Sequence, residues 1–111
     1  MNMKTENPAH YILGLPLCTI DGEKGIFSLR TMILPRDCQS AIMDYLEGRS
    51  ETLDAVPFYR GGLLLEVFTS KDKSRILARL CEFPPEGFTP ISGLEEITAA
   101  QLQQLEALSR K

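Results

Sequence analysis

The chain has no tryptophan, one histidine, three cysteines in 111 residues and no run of basic side chains. Each scarcity closes a route to function. With His10 as the lone histidine, histidine-rich metal sites have too few ligands. A Cys–His dyad would have to join His10 to one of Cys18, Cys38 or Cys81. Cys18 is nearest in sequence, but at about 3.3 Å per residue a straight strand separates it from His10 by more than ~20 Å. Three cysteines without short spacing make neither a disulfide framework nor a Cys-x-x-Cys pair, and they read as reduced thiols. A formal net charge of −3 argues against non-specific nucleic-acid binding, which runs on Lys and Arg against phosphates.

No apolar run comes near the roughly 20 residues needed to span a bilayer, and residues 1–10 lack signal-peptide form. The expectation is a cytoplasmic protein without a membrane segment, its acidic balance ordinary for a bacterial one. The length fits one domain. Residues 1–9 read as a loose tail and residues 10–111 as a single α+β domain.

The most informative stretch is 62–83, GLLLEVFTSKDKSRILARLCEF. Two apolar runs flank Ser70-Lys71-Asp72-Lys73, the pattern of a hairpin. A turn centred between Lys71 and Asp72 sets Val67 opposite Ile76, Leu65 opposite Ala78 and Leu63 opposite Leu80, all on one buried face. The reverse face then pairs Phe68 with Arg75, Glu66 with Leu77 and Leu64 with Arg79, with Glu66 diagonal to both arginines. Leu64, Phe68 and Leu77 are more apolar than a solvated face usually carries. Either the chain itself covers them, or the face docks on another chain. In the second case Leu64, Phe68, Leu77, Arg75 and Arg79 form the interface, and a charge at Phe68 or Leu77 should break the assembly without unfolding the domain.

A first hairpin joins 10–20 to 26–34 through Asp21-Gly22-Glu23-Lys24-Gly25. Pairing Ile20 with Ile26 sets Leu17 opposite Leu29. Pro16 donates no ladder bond, which places this strand at an edge or a bulge. Pro35 ends the second strand. Asp37 then reads as an N-cap, with Cys38, Ile42, Tyr45 and Leu46 as an apolar helical stripe and Gly48 as the stop. Residues 84–90 form a proline-rich extended loop. The last helix has a capping box, Thr98 with Gln101, and an Ile97–Leu102 staple, and it buries Leu105 and Leu108. Glu95-Glu96 place negative charge before this helix.

The order is β-β-α-β-β-α, and the economical arrangement is a four-stranded antiparallel sheet with two helices packed on one face. The sequence shows no catalytic motif, cofactor signature or phosphate loop. The aromatics around the second hairpin, with Arg60, Arg75 and Arg79, have the composition of a base-stacking platform. Sheet packing with a cation–π contact such as Phe68–Arg75 is the plainer account. Cys38, at a helix start, has the position of an activated thiol but also begins the apolar stripe. Cys81, on the reverse face, reads as the better labelling target. The function expected is non-catalytic: a protein-interaction or regulatory accessory module, self-associating or binding another protein. The alternative is a small-ligand binder or small enzyme with a pocket beside the 84–90 loop, lined by Tyr59, Arg60 and Arg79.

Overall fold

A computed structural model describes residues 11–12, 15–55, 62–82 and 89–109. The architecture is α+β, an antiparallel sheet with two helices. In chain order the elements are β1 (Tyr11–Ile12), β2 (Leu15–Cys18), β3 (Phe27–Leu34), α1 (Gln39–Leu46), β4 (Leu63–Ser70), β5 (Ile76–Glu82), β6 (Thr89–Pro90), β7 (Glu95–Ile97) and α2 (Ala99–Ser109). Strands follow one another across the sheet, β1-β2-β3-β4-β5, with β6 and β7 both on the far edge of β5. Four strands are therefore too few. The segment expected to be only a loop contributes Thr89–Pro90 opposite Cys81 and Glu82, and Glu95-Glu96 lie in a strand paired with Ala78 and Leu77. Between β6 and β7 the chain bulges outward. There the Ser92 hydroxyl accepts from the Leu80 N–H (2.9 Å) and the Ile91 N–H donates to Leu80 O (2.9 Å), so β5 keeps its edge satisfied.

The sheet's first face carries the main core. Leu63, Leu65, Val67, Ala78 and Leu80 pack against Cys38, Ile42, Tyr45 and Leu46 of the first helical segment and Leu105 and Leu108 of α2. Both helices thus share one face. Cross-strand alternation sorts these residues from their neighbours, and burial of the apolar set supplies the driving force.

The β4–β5 register differs from the expected one by two residues: Leu65 stands opposite Leu80, Val67 opposite Ala78 and Leu63 opposite Glu82. A two-residue slip keeps every side chain on its own face, so the alternation is blind to it. The turn decides. Ser70 N–H donates to Arg75 O (3.0 Å), and Asp72 Oδ1 accepts from Ser74 N–H (3.0 Å), Ser74 Oγ (2.7 Å) and Ser70 Oγ (2.9 Å). These bonds hold a four-residue loop, with Lys73 at φ 64°, in place of a two-residue one.

The Ser74 hydroxyl and amide, then Ser70, hold the Asp72 carboxyl at about 2, below its ordinary 3.8. Its folded value is depressed, so its contribution is complete above the ordinary value and disappears as pH falls through the folded one. Urea midpoints should therefore drop more steeply between these two pH values in the natural protein than in Asp72→Asn. Equal slopes would show that the turn does not hold the charge.

The β2–β3 register differs by one: Leu17 faces Ser28 and Cys18 faces Phe27. Ile20 and Ile26 do not pair but belong to a longer loop with its own turn, Glu23 N–H to Ile20 O (3.0 Å). Leu17 and Leu29 consequently lie on opposite faces. Asp37 is not a cap. It sits inside a 3-10 turn, Arg36–Cys38, whose backbone bonds delay the helix until Gln39 and put Cys38 at the N-cap. The helix does stop at Gly48, at φ 80°, where Gly48 N–H reaches Tyr45 O and Arg49 N–H reaches Asp44 O (2.8 Å), a Schellman pair of bonds. The capping box of α2 is formed in both directions, Thr98 N–H to Gln101 Oε1 (2.9 Å) and Gln101 N–H to Thr98 Oγ1 (3.1 Å).

Candidate functional site

The reverse face of the sheet is the part that needs an explanation beyond folding. It presents Leu64, Glu66 and Phe68 from β4, Leu77, Arg79 and Cys81 from β5, and Phe27 and Leu29 from β3. Phe27, Phe68 and Leu77 form a second, smaller core, with Cys18, Ile20, Leu29 and Leu94 packed against it. The chain itself covers much of this face. Phe68 is 6% and Leu77 3% exposed, and Leu64 is also buried. A charge placed at Phe68 or Leu77 would therefore enter packed apolar surroundings and destabilise the domain, whatever it does to an assembly.

The arginines follow the observed register. Arg79 lies directly opposite Glu66, and its Nε (3.0 Å) and Nη2 (2.5 Å) both donate to Glu66 Oε1. Its guanidinium also lies 5.8 Å from the Phe68 ring centre, so the cation–π partner of Phe68 is Arg79 and not Arg75. Arg75, displaced into the turn, forms a two-pronged pair with Glu96 (Nη2 3.0 Å, Nε 3.3 Å) and reaches Glu23 with Nη1 (2.9 Å). One cation thereby ties the β2–β3 loop to β7 across the reverse face. The Arg75 bond holds the Glu96 carboxyl below its usual range.

Cys81 is buried, and its Sγ donates to Glu66 Oε1 at 3.6 Å. Burial first, then the Glu66 charge, push its thiol up, partly offset by Arg79. Cys18 is raised by the same two causes in the same order but is only half-buried, so Cys18 and not Cys81 is the accessible thiol of this face. Cys38 is buried in the main core. Shared proximity to Glu66 relates Cys18 and Cys81, which lie on strands separated by two others, and the spacing of cysteines in sequence carries no sign of that.

Beside this network Thr19, Ile20, Asp21, Phe68, Arg79 and Leu94 line a hollow of about 440 Å³. Of the expected pocket residues it contains Arg79. Tyr59, Arg60 and residues 83–88 lie outside the described residues, as does His10. Among the described residues no cluster of His, Cys, Asp and Glu has the makings of a metal site. No described helix is long and apolar enough to cross a membrane.

The chain is 31% identical over 84 residues to Thioredoxin-like 4, chloroplastic, of Oryza sativa subsp. japonica. The matched segment is 73% of this chain and 38% of the rice protein, so the chain spans well under half of that relative. No family model matches the chain. No solved structure matches it.

Proposed function

We propose that the chain is a non-catalytic interaction module, regulatory or accessory in its work, which self-associates through the rim of its reverse sheet face. The observation that carries this reading is the apolar rim itself. Leu29 and Ile33 are only half-buried on β3, Ile20 lies half-buried over the second core, and Ile26, just before β3, is 48% exposed. Leu64, Phe68 and Leu77 then act as the support beneath the contact, and Arg75 and Arg79 hold its shape through their ion pairs. Contiguous exposed apolar patches bordered by polar side chains mark sites of association.

Sedimentation equilibrium at tens of micromolar tests the reading. A dimer is expected, weakened in Ile26→Glu and Ile33→Glu while the unfolding midpoint of Ile26→Glu stays near that of the natural protein. A strict monomer overturns it.

The rice relative's printed name suggests dithiol chemistry as a different reading. That chemistry is expected where Cys-x-x-Cys stands near a βαβ unit. Here the cysteines are at 18, 38 and 81, and every described strand pair is antiparallel. The comparison therefore lends no support to a redox role for this chain. A small-ligand site is favoured by one observation, the hollow beside Arg79. Its size is within the range of ligand pockets, and Thr19, Asp21 and Arg79 line it together with Ile20, Phe68 and Leu94. A metabolite that raises the melting temperature of the natural protein but not of Asp21→Asn would establish that reading.

A further inference from the structure

Phe27 pairs with Ser70, so the β2–β3 connection, residues 19–26, and the β4–β5 turn stand side by side at one end of the sheet. Arg75 fastens them together. Its Nη1 donates to Glu23 in the first loop (2.9 Å), and its backbone N–H donates to Ser70 Oγ (2.9 Å) at the base of the second. Between the loops lies a hollow of about 530 Å³, within the size range of ligand pockets.

Its lining combines two chemistries. Ile26 and Phe27 are the apolar part; Ile26 is 48% exposed, and Phe27 is anchored in the second core. Lys24, Lys71 and Arg75 bring positive charge, against one acid, Asp72. Two of these four charges are already answered. Arg75 is paired with Glu23 and Glu96, and Asp72 Oδ1 accepts from Ser70 and Ser74. Lys24 and Lys71 are exposed, and among the described residues neither forms an ion pair. The two ammonium groups therefore set the sign of the hollow.

We propose that this hollow binds a small amphiphilic anion, with an alkyl or aryl body against Ile26 and Phe27 and an anionic head met by Lys24 and Lys71. An ammonium acts as a point charge on a flexible stem, so carboxylate, sulfonate and phosphate heads are all suitable. The concave shape favours a free amphiphile over the flat surface of a bilayer. The site goes beyond the self-association read above and meets it at Ile26, which also belongs to the apolar rim. Occupancy of the hollow should therefore compete with association.

Titration of the dilute full chain with 1-anilinonaphthalene-8-sulfonate tests this. Emission should rise and saturate at one equivalent. Decanoate and decyl phosphate, kept below micelle formation, should displace the dye, and decanol should not. The double variant Lys24→Gln/Lys71→Gln should bind at least tenfold more weakly with its melting temperature unchanged, since both side chains are exposed. Amide shifts in the natural protein should be confined to 24–27 and 70–75. Equal affinity in the double variant, or displacement by decanol as effective as by decanoate, overturns the site. Capture by phosphatidylglycerol vesicles without binding of the free amphiphiles overturns it in favour of a membrane surface. A protein that is monomeric at every concentration yet binds the dye as described overturns the self-association reading alone.

Discussion

Leu65→Ala and Leu80→Ala should each lower the unfolding free energy by about 2–5 kcal/mol, the range for a leucine emptied from a packed core. Both side chains are fully buried. A domain of this size is stable by roughly 5–15 kcal/mol, so either change is a large part of the whole. The informative quantity is the coupling between them. Leu65 and Leu80 are directly opposite, whereas Leu63 is one diagonal step from Leu80. Direct cross-strand neighbours lie about 5 Å apart at Cβ and diagonal ones about 7–8 Å. Double-mutant cycles by urea unfolding should therefore give a coupling of about 0.5–3 kcal/mol for Leu65–Leu80, and a smaller one for Leu63–Leu80. The reverse order would mean that the hairpin turns between Lys71 and Asp72 after all.

That comparison isolates what the sequence could not express. The assignment of Leu63, Leu65, Val67, Ala78 and Leu80 to the helix-covered face was legible because alternation has period two. Translation along the strand by two residues leaves that signal unchanged. The information sat in the turn, where Asp72 gathers three donors from Ser70 and Ser74, and a polar tetrapeptide does not announce which four residues it will close. The β2–β3 hairpin shows the costlier version of the same problem. Its eight-residue connection bends back on itself, and a slip of one exchanged the faces. The capping box of α2 and the glycine stop of α1 were readable because each is completed within a few residues. The β6–β7 edge was not, since Thr89–Pro90 and Glu95–Ile97 become strands only by lying against β5.

The candidate site divides in the same way. Its membership, Leu64, Phe68, Leu77, Arg75 and Arg79 on one face, follows from alternation alone. Its cover does not. Ile20 and Leu94 reach the face from a loop and from the bulge before β7, and both depend on contacts distant in sequence. The partners of the arginines moved with the register: Glu66 went wholly to Arg79, and Arg75 was freed to join Glu23 and Glu96.

Glu66 is the position where this rearranged network should show the largest polar effect. Its side chain is 14% exposed, and a single oxygen, Oε1, takes both bonds from Arg79 and the thiol of Cys81. Glu66→Ala leaves a guanidinium 35% exposed near the Phe68 ring without the carboxylate that pairs with it. Removing one partner of a charged hydrogen bond costs about 1–3 kcal/mol, and the solvent reaching Arg79 favours the lower half of that range. Glu66→Gln should cost less, because an amide oxygen still accepts from Arg79. Glu66→Leu with Arg79→Leu should recover much of the loss, since no unpaired charge is left behind and the surroundings are apolar. A second readout separates electrostatics from packing. Glu66 adds to the burial that raises the Cys18 thiol, so both Glu66→Ala and Glu66→Gln should speed alkylation of Cys18 by iodoacetamide at mildly alkaline pH, in proportion to a lowered thiol pKa. Cys81, shielded by burial, should stay slow in the isosteric Gln variant. Unchanged stability in Glu66→Ala, together with an unchanged Cys18 rate in Glu66→Gln, would mean that the carboxylate is solvated and the reverse face is open where the structure closes it.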